Sequence, residues 1–195
     1  MDFARDRVTL DGKPVHAGRK IYLLLYKPKG YLTAYKDPDG RRTIYDLMSA
    51  VDQWVFPVGR LDLDSSGLLI LTNDSQFAER LTNPVHQVPK TYQVKASTFL
   101  SDEQLDALRR GVTLSDGPTR PALVKRLRDT AKYTFLEITL TEGRNRQVRR
   151  MLEAVGSKVL KLVRTAIGPV RIDDLPIGTH RWLTEEEIRQ LRPRK

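Results

Sequence analysis

Residues 58–74, VGRLDLDSSGLLILTND, place charged side chains directly ahead of an apolar run. Arg60 and Asp62 come first, a Ser-Ser-Gly bend follows, and the aliphatic residues after it predict a buried strand. A rigid strand would hold the side chains at its mouth in fixed positions. Arg60 and Asp62 are therefore candidates for a functional site. An isolated Gly-Arg-Leu-Asp is more often a turn or cap aspartate, so other parts of the chain must support the assignment.

A calcium-binding loop is one alternative, because Asp-Leu-Asp-Ser-Ser-Gly matches the opening of a D-x-D-x-S-G loop. The last ligand position of such a loop is a glutamate, but Asn73 stands there, and an aliphatic strand replaces the exiting helix. The histidines, His16, His86 and His180, lack ligand spacing, and the chain has no cysteine. Walker and dinucleotide-binding motifs are also missing. We predict no metal and no cofactor, so any catalysis uses carboxylate, phenol and guanidinium groups.

The composition is that of a basic chain that can bury one sizeable core or a core split into two lobes. The chain has 195 residues, of which 39% are hydrophobic. Lys and Arg number 34 against 24 Asp and Glu, and the net charge of +10 is typical of a polyanion-binding protein, although a merely solvated basic surface is the alternative. The first residues lack the apolar segment of a signal peptide, and no apolar run is long enough to span a membrane. We expect a cytoplasmic protein without membrane contact.

Apolar patterns predict a mixed α+β chain that is richer in strand than in helix. The predicted strands are a small hairpin at 8–15 and single strands at 21–26, 67–73, 91–97, 121–127 and 133–140. The predicted helices are 43–50, 75–83, 101–111 with a Ser101/Gln104 capping box, and a last one framed by Thr184 and Glu187. Strands and helices do not alternate regularly, which argues against a doubly wound parallel sheet.

The stretch 141–156, TEGRNRQVRRMLEAVG, predicts an amphipathic helix that begins directly after Gly143 and ends at Gly156. Its apolar residues have helical spacing: Val148, Met151, Leu152 and Val155. A basic set has the same spacing on another face: Arg146, Arg149 and Arg150. Such a cluster at a helix start suits phosphates or a buried carboxylate. The alternative is a solvated helix face on which Glu142 and Arg146 form an i,i+4 pair.

Four motifs, in this order, resemble the RsuA-type ribosomal RNA pseudouridine synthases. The motifs are Lys27-Pro28-Lys29-Gly30, Gly59-Arg60-Leu61-Asp62 with the apolar strand after it, Lys90-Thr91-Tyr92, and Glu142-Gly143-Arg144-Asn145-Arg146-Gln147-Val148-Arg149-Arg150-Met151. The resemblance covers residues 20–191. It implies the α+β catalytic fold of these enzymes, a mainly antiparallel mixed sheet flanked by helices with the active-site cleft in the middle. It also implies the isomerisation of a uridine to pseudouridine.

The resemblance carries site roles onto individual residues. Asp62 becomes the catalytic aspartate, Tyr92 the tyrosine that stacks on the target uracil, and Arg149 the basic partner of Asp62. Leu162 resembles the apolar pocket residue, and Arg60 the side chain that fills the gap left by the extruded uridine, with a phosphate contact as the alternative. The chemistry agrees, because a carboxylate can act as nucleophile or base without a metal. A charged Asp62 beside an aliphatic strand also needs a cationic partner.

The resemblance further implies ribosomal RNA as the partner, free or within pre-ribosomal particles, and we expect a monomer. Candidate contacts to the RNA backbone are Lys27, Lys29, Arg41, Arg42, Arg146 and Arg150. The sequence of residues 145–151, NRQVRRM, is more similar to that of members that act on large-subunit 23S RNA than to that of the small-subunit type. A small-subunit synthase, and a catalytically inactive RNA-binding or ribosome-assembly module, are the alternatives. A DNA-binding domain is disfavoured, because no helix pair has the helix-turn-helix pattern.

A division of the chain into two segments follows from the same resemblance. Residues 20–195 are expected to form the catalytic domain, in one or two lobes. Residues 1–19 resemble the linker that follows a small RNA-binding domain in most members of the family. We therefore expect that small domain to be missing from these 195 residues, either naturally or because the sequence was shortened, so that affinity for the target depends on the catalytic domain.

Overall fold

The structure is a computed structural model that describes residues 9–10, 13–14 and 18–192. The strands are β1 (Thr9–Leu10), β2 (Lys13–Pro14), β3 (Tyr22–Lys27), β4 (Phe56–Pro57), β5 (Ser66–Thr72), β6 (Lys90–Ala96), β7 (Thr113–Leu114), β8 (Gly117–Pro118), β9 (Leu123–Asp129), β10 (Thr134–Leu140), β11 (Val159–Ile167), β12 (Val170–Arg171) and β13 (His180–Trp182). The α-helices are α1 (Ser75–Thr82), α2 (Asp102–Arg110), α3 (Gln147–Ala154) and α4 (Glu185–Leu191), and short 3-10 helices lie at Ile44–Leu47 and Pro84–His86.

Nine of the described strands form one mixed sheet. Its main order is β13-β3-β5-β11-β6-β10-β9, with β4 paired to β5 and β12 paired to β11. Within the described ranges, β5 and β11 are the parallel pair of this sheet and its other pairings are antiparallel. The predicted α+β fold with a mainly antiparallel sheet is confirmed.

The parallel contact between β5 and β11 is short and divides the sheet into two halves. Its register consists of two pairs, Val163 with Ser66 and Arg164 with Gly67. We call this contact the seam. On one side of the seam, alternate residues of β3 and β5 enter different hydrophobic clusters, one on each face of the sheet. Burial on both faces explains why these strands are apolar throughout. On the other side, β6, β9 and β10 pack one face against α2 and α3.

Gly67 and Arg164 make the close approach at the seam possible. The φ angle of Gly67 is +120°, and a Cβ atom at this position would lie 2.3 Å from the carbonyl oxygen of Arg164. Only glycine fits there. The buried Arg164 side chain crosses the seam, and its Nε donates to the carbonyl of Leu68 at 2.7 Å. Its Nη1 donates to the carbonyl of Arg60 at 3.4 Å. Arg164 therefore ties the loop that carries Asp62 to β11.

Most predicted elements are present, with local differences. The Ser101/Gln104 capping box opens α2, and Thr184 and Glu187 cap α4 as predicted. The predicted helix at 43–50 is a short 3-10 helix capped by Thr43. In the predicted hairpin, β1 pairs with β2, and the remaining residues of 8–15 lie outside the described ranges. Residues 1–8, which belong to the predicted linker, also lie outside them.

The predicted helix, which was expected to begin directly after Gly143, is shorter than expected, because α3 begins only at Gln147. The carboxylate of Glu142 accepts from the backbone N–H of Arg120 at 3.0 Å and from the side-chain amide of Gln147. These hydrogen bonds hold residues ahead of α3 in a loop. Arg146 precedes the helix with a left-handed φ of +49°, so it does not belong to the helix from which the spacing was read.

Candidate active site

A cavity of about 330 Å³ opens beside the seam, in the middle of the sheet, as predicted for the cleft. It brings together five of the predicted site residues, which are Arg60, Asp62, Tyr92, Arg146 and Leu162. The loop ahead of β5 supplies the first two, from one half of the sheet. Tyr92 on β6 and Leu162 on β11 come from the other half. The relative position of the carboxylate and the phenol therefore depends on the seam.

The cation nearest to Asp62 is Arg146, which differs from the prediction. Nη1 of Arg146 lies 3.4 Å from Oδ2 of Asp62 and 3.3 Å from Oδ1 of Asp64. Arg149 instead contacts Asp64, with Nη2 at 3.0 Å from Oδ2. The physical reason is the left-handed backbone at Arg146, which directs this side chain to the loop tip. Arg149 lies in the helix and is buried against the loop backbone behind it.

Arg149 stabilises the loop that follows Asp62 through hydrogen bonds. Its Nη2 donates to the carbonyl of Asp64 at 3.2 Å and to the hydroxyl of Ser65 at 3.3 Å. Burial is the largest influence on Asp64 and raises its pKa. The hydrogen bond from Arg146 and the charges of Arg149 and Arg146 outweigh burial and hold the pKa of Asp64 below its usual range. Asp64 therefore stays ionised and anchors both arginines.

Lys27 lies beneath the same loop, which contradicts the prediction that it contacts the RNA backbone. Its side chain is fully buried, and Nζ donates to the carbonyls of Pro28, Asp62 and Ser65 at 3.1, 3.0 and 2.9 Å. Burial lowers the pKa of Lys27 to about 8, although the carboxylates of Asp62 and Asp64 oppose the shift. Lys27 thus fixes the backbone on both sides of the bend.

The other residues that were predicted to contact the RNA backbone differ in whether a carboxylate of the protein already binds them. Lys29 and Arg42 are exposed, whereas Arg41 is also exposed but binds the carboxylate of Asp37 at 2.7 Å. Arg150 makes a two-pronged contact with Asp116, at 2.9 and 3.0 Å. The hydrogen bond from Arg150 lowers the pKa of the Asp116 carboxyl. Arg150 would therefore have to leave a carboxylate in order to bind a phosphate, so the predicted basic face of α3 is not a single surface.

The sequence interpretation missed two residues of this region, Asp64 and Arg164. Asp64 is the second carboxylate of Asp-Leu-Asp, and Arg164 is the one charged residue of the apolar run LVRTAI. For Arg164, the available signal was a charged residue within an otherwise apolar run. A buried arginine needs buried hydrogen-bond acceptors, so this residue indicated a structural role. No group of three His, Cys, Asp or Glu in the described ranges is placed to hold a metal ion. None of the described helices is long and apolar enough to cross a membrane.

The family description RNA pseudouridylate synthase matches residues 21–154 of this chain. Together with the seam cavity and the motifs that line it, the match shows that the chain belongs to the RNA pseudouridylate synthase family. The protein is thus an RNA pseudouridine synthase by family, as the sequence predicted. A crystal structure of a pseudouridylate synthase aligns with a TM-score of 0.80 and 35% identity, over 89% of this chain and 74% of the other.

Three curated relatives are similar over most of this chain. Ribosomal large subunit pseudouridine synthase B of Bacillus subtilis is 42% identical, over 96% of this chain and 78% of the relative. Ribosomal large subunit pseudouridine synthase E of Xanthomonas axonopodis pv. citri is 46% identical, over 80% of this chain and 90% of the relative. Ribosomal small subunit pseudouridine synthase A of Escherichia coli is 38% identical, over 93% and 78%.

Proposed function

We propose that this protein isomerises a uridine of ribosomal RNA to pseudouridine, and that the RNA is that of the large subunit. The observation that carries the proposal is the cavity in which Asp62 shares the walls with Tyr92 and Leu162. Two relatives named for the large subunit are 42% and 46% identical, against 38% for the one named for the small subunit. The sequence of residues 145–151 also favours the large subunit.

Several residues that line the cavity have a role in the proposed reaction. The isomerisation breaks the N1–C1′ bond, turns the uracil and rejoins it through C5, so the detached base must be held. We assign the role of nucleophile or base to the carboxylate of Asp62, which is about one-third exposed with a side-chain accessibility of 32%. Tyr92 stacks on the uracil, and the buried Leu162 forms the apolar wall beside it. Arg146 neutralises Asp62 while leaving it open to the substrate.

Arg60 is placed to support extrusion of the target nucleotide. Its side chain is exposed at the rim of the cavity, while its carbonyl is held by Arg164. Extruding a base costs a few kcal/mol in lost stacking and pairing. We propose that the Arg60 side chain fills the vacated gap and offsets part of this cost. We also propose residues 20–195 as the catalytic domain and residues 1–19 as a linker.

Tritium release from RNA labelled at uracil C5 tests the proposal. Transcripts of large-subunit and small-subunit ribosomal RNA are incubated with the unmodified protein, with Asp62→Asn and with Asp64→Asn. We expect release from the large-subunit transcript, none with Asp62→Asn, and slowed but measurable release with Asp64→Asn. Asp62→Asn should bind RNA within a few fold of the unmodified protein. Substantial turnover by Asp62→Asn would refute the assignment, and release from the small-subunit transcript alone would refute the choice of subunit.

A further inference from the structure

Four side chains form one row across four neighbouring strands of the sheet. Lys161 of β11 lies opposite Lys95 of β6, and Lys95 lies opposite Phe135 of β10. Phe135 in turn lies opposite Arg128 of β9. Side chains of directly paired residues project from the same face of a sheet. We call these four side chains the back-face row.

The back-face row lies on the face of the sheet that points away from the active-site cavity. The next residues along three of these strands are Val94, Leu136 and Leu162, which are buried in the cluster formed with α2 and α3. Leu162 also lines the active-site cavity. Because side chains alternate between the faces of a strand, the row occupies the opposite face. All four of its side chains are exposed or half-exposed, and they border a separate cavity of about 290 Å³.

The row carries positive charge that no neighbouring carboxylate neutralises. Within the part of the chain that the structure describes, the ion pairs involve other residues than Lys95, Arg128 and Lys161. The adjoining pair on this face, Lys125 opposite Glu137, is neutral as a whole. Three cations on one open face of a sheet are the electrostatic footprint of a polyanion contact.

Aromatic rings lie among these cations. The guanidinium carbon of Arg128 is 3.8 Å from the centre of the Phe135 ring. Nζ of Lys95 is 4.1 Å from the centre of the Tyr133 ring and 5.8 Å from that of Phe135. A guanidinium stacked on a phenyl ring presents a flat surface, and unpaired bases stack on both kinds of group. The flat surface favours RNA over an acidic protein, which would need only the charge.

We propose that the back-face row binds a segment of RNA outside the target site. Phosphates contact Lys95 and Lys161, and an unpaired base stacks on Arg128 and Phe135. Because β9, which carries Arg128, is an edge strand of the sheet, we expect an RNA held by both faces to pass around this edge. The inference rests on the proposed function, since the bound segment belongs to the RNA whose uridine enters the active-site cavity.

Binding of a uridylate homopolymer at increasing salt tests the proposal without requiring turnover. The double variant Lys95→Glu/Lys161→Glu should lower the salt slope by about 1.4, which is two lost contacts of about 0.7 each on a single strand. The matched control is Arg110→Glu/Arg171→Glu, which changes the net charge equally at exposed positions in α2 and β12, outside the row. An equal change of slope in the control would overturn the proposal.

A third variant, Phe135→Leu, separates stacking from charge. It keeps an apolar side chain and removes the ring, so affinity should fall roughly fivefold or more while the salt slope stays unchanged. Unchanged affinity would overturn the stacking part, and melting temperatures verify that each variant is folded. Tritium release at saturating RNA should remain normal in all these variants. If the unmodified protein released no tritium, the proposed function would be refuted. The RNA-binding role of the back-face row would still be supported, provided that the salt slope changed in the double variant and not in its control.

Discussion

Gly67→Ala is expected to damage both the stability and the activity of this protein, because it adds an atom where the two halves of the sheet touch. The new Cβ would lie 2.3 Å from the carbonyl oxygen and 2.4 Å from the nitrogen of Arg164. Both are backbone atoms of β11, so no flexible side chain can move aside. Ordinary contact begins near 3.4 Å, so the strands must part by about 1 Å.

The cost can be estimated from the contacts at the seam. A φ of +120° strains any residue with a Cβ, by about 1–3 kcal/mol. Parting the strands weakens the short ladder of the seam and the bond from Arg164 to Leu68, at about 1 kcal/mol for each hydrogen bond. A loss of about 4 kcal/mol in the free energy of unfolding follows, which lowers the melting temperature by roughly 8–16 °C in a domain of this size.

Thermal melting and tritium release measure the two effects. The control is Gly156→Ala, where φ is also positive, at +82°, but no atom lies within 4 Å of the new Cβ. That variant should lose only about 1–2 kcal/mol, from the backbone conformation alone. Gly67→Ala should also lose turnover at saturating RNA below its melting temperature, because Asp62 and Tyr92 lie on opposite sides of the seam. Equal melting of the two variants, with normal turnover, would refute this account.

Three further predictions concern the site. Tyr92→Phe keeps the stacking ring and should slow turnover about 10²-fold with little change in RNA affinity if the hydroxyl moves a proton; unchanged turnover would leave Tyr92 as a stacking residue only. Arg146→Ala should reduce turnover at saturating RNA by removing the cation beside Asp62, whereas Arg150→Ala should not, and equal losses in tritium release would contradict this division. Burial lowers the pKa of Lys27 from 10.5 to about 8. Between these two pH values, Lys27 is protonated in the unfolded chain but not in the folded chain. Relative to Lys27→Met, the stability of the unmodified protein in denaturant titrations should therefore rise by about 3 kcal/mol from pH 8 to 10.5, and parallel pH profiles would contradict it.

The helices and most of the longer strands could be predicted because their signals are local, whereas the nine-residue strand β11 was not predicted and the cleft was inferred from the resemblance to the family. Alternation in 133–140 and the capping box at Ser101 depend on neighbouring residues only, and both are present in the structure. Asp62 and Tyr92 lie in motifs that resemble those of the family, and the structure brings both to one cavity. The sequence could not show that the seam joins them, because the seam pairs residues almost a hundred positions apart.

The roles of individual cations could not be predicted, because they depend on backbone angles and distant carbonyls. Helical spacing placed Arg146 and Arg149 on one face, and both contact Asp64, but Arg146 lies ahead of the helix with a positive φ and is the one of the two that also contacts Asp62. Lys27, ahead of Pro28 and Gly30, has the pattern of an exposed turn. Its burial is decided by the carbonyls of Asp62 and Ser65, which reach it only in the folded chain.

Substitutions in the two halves of the sheet should combine additively. Leu24 packs in a cluster on one side of the seam and Leu136 in a cluster on the other, and the two clusters have no member in common. Energies of substitutions at sites that share no partner usually add within a few tenths of a kcal/mol. Gly67 and Arg164 lie in contact, so changes at these two positions should show strong coupling. Each half can therefore accumulate changes in its own core, while a side chain at position 67 cannot be accommodated by a change at position 164, because the atoms it would meet there are backbone.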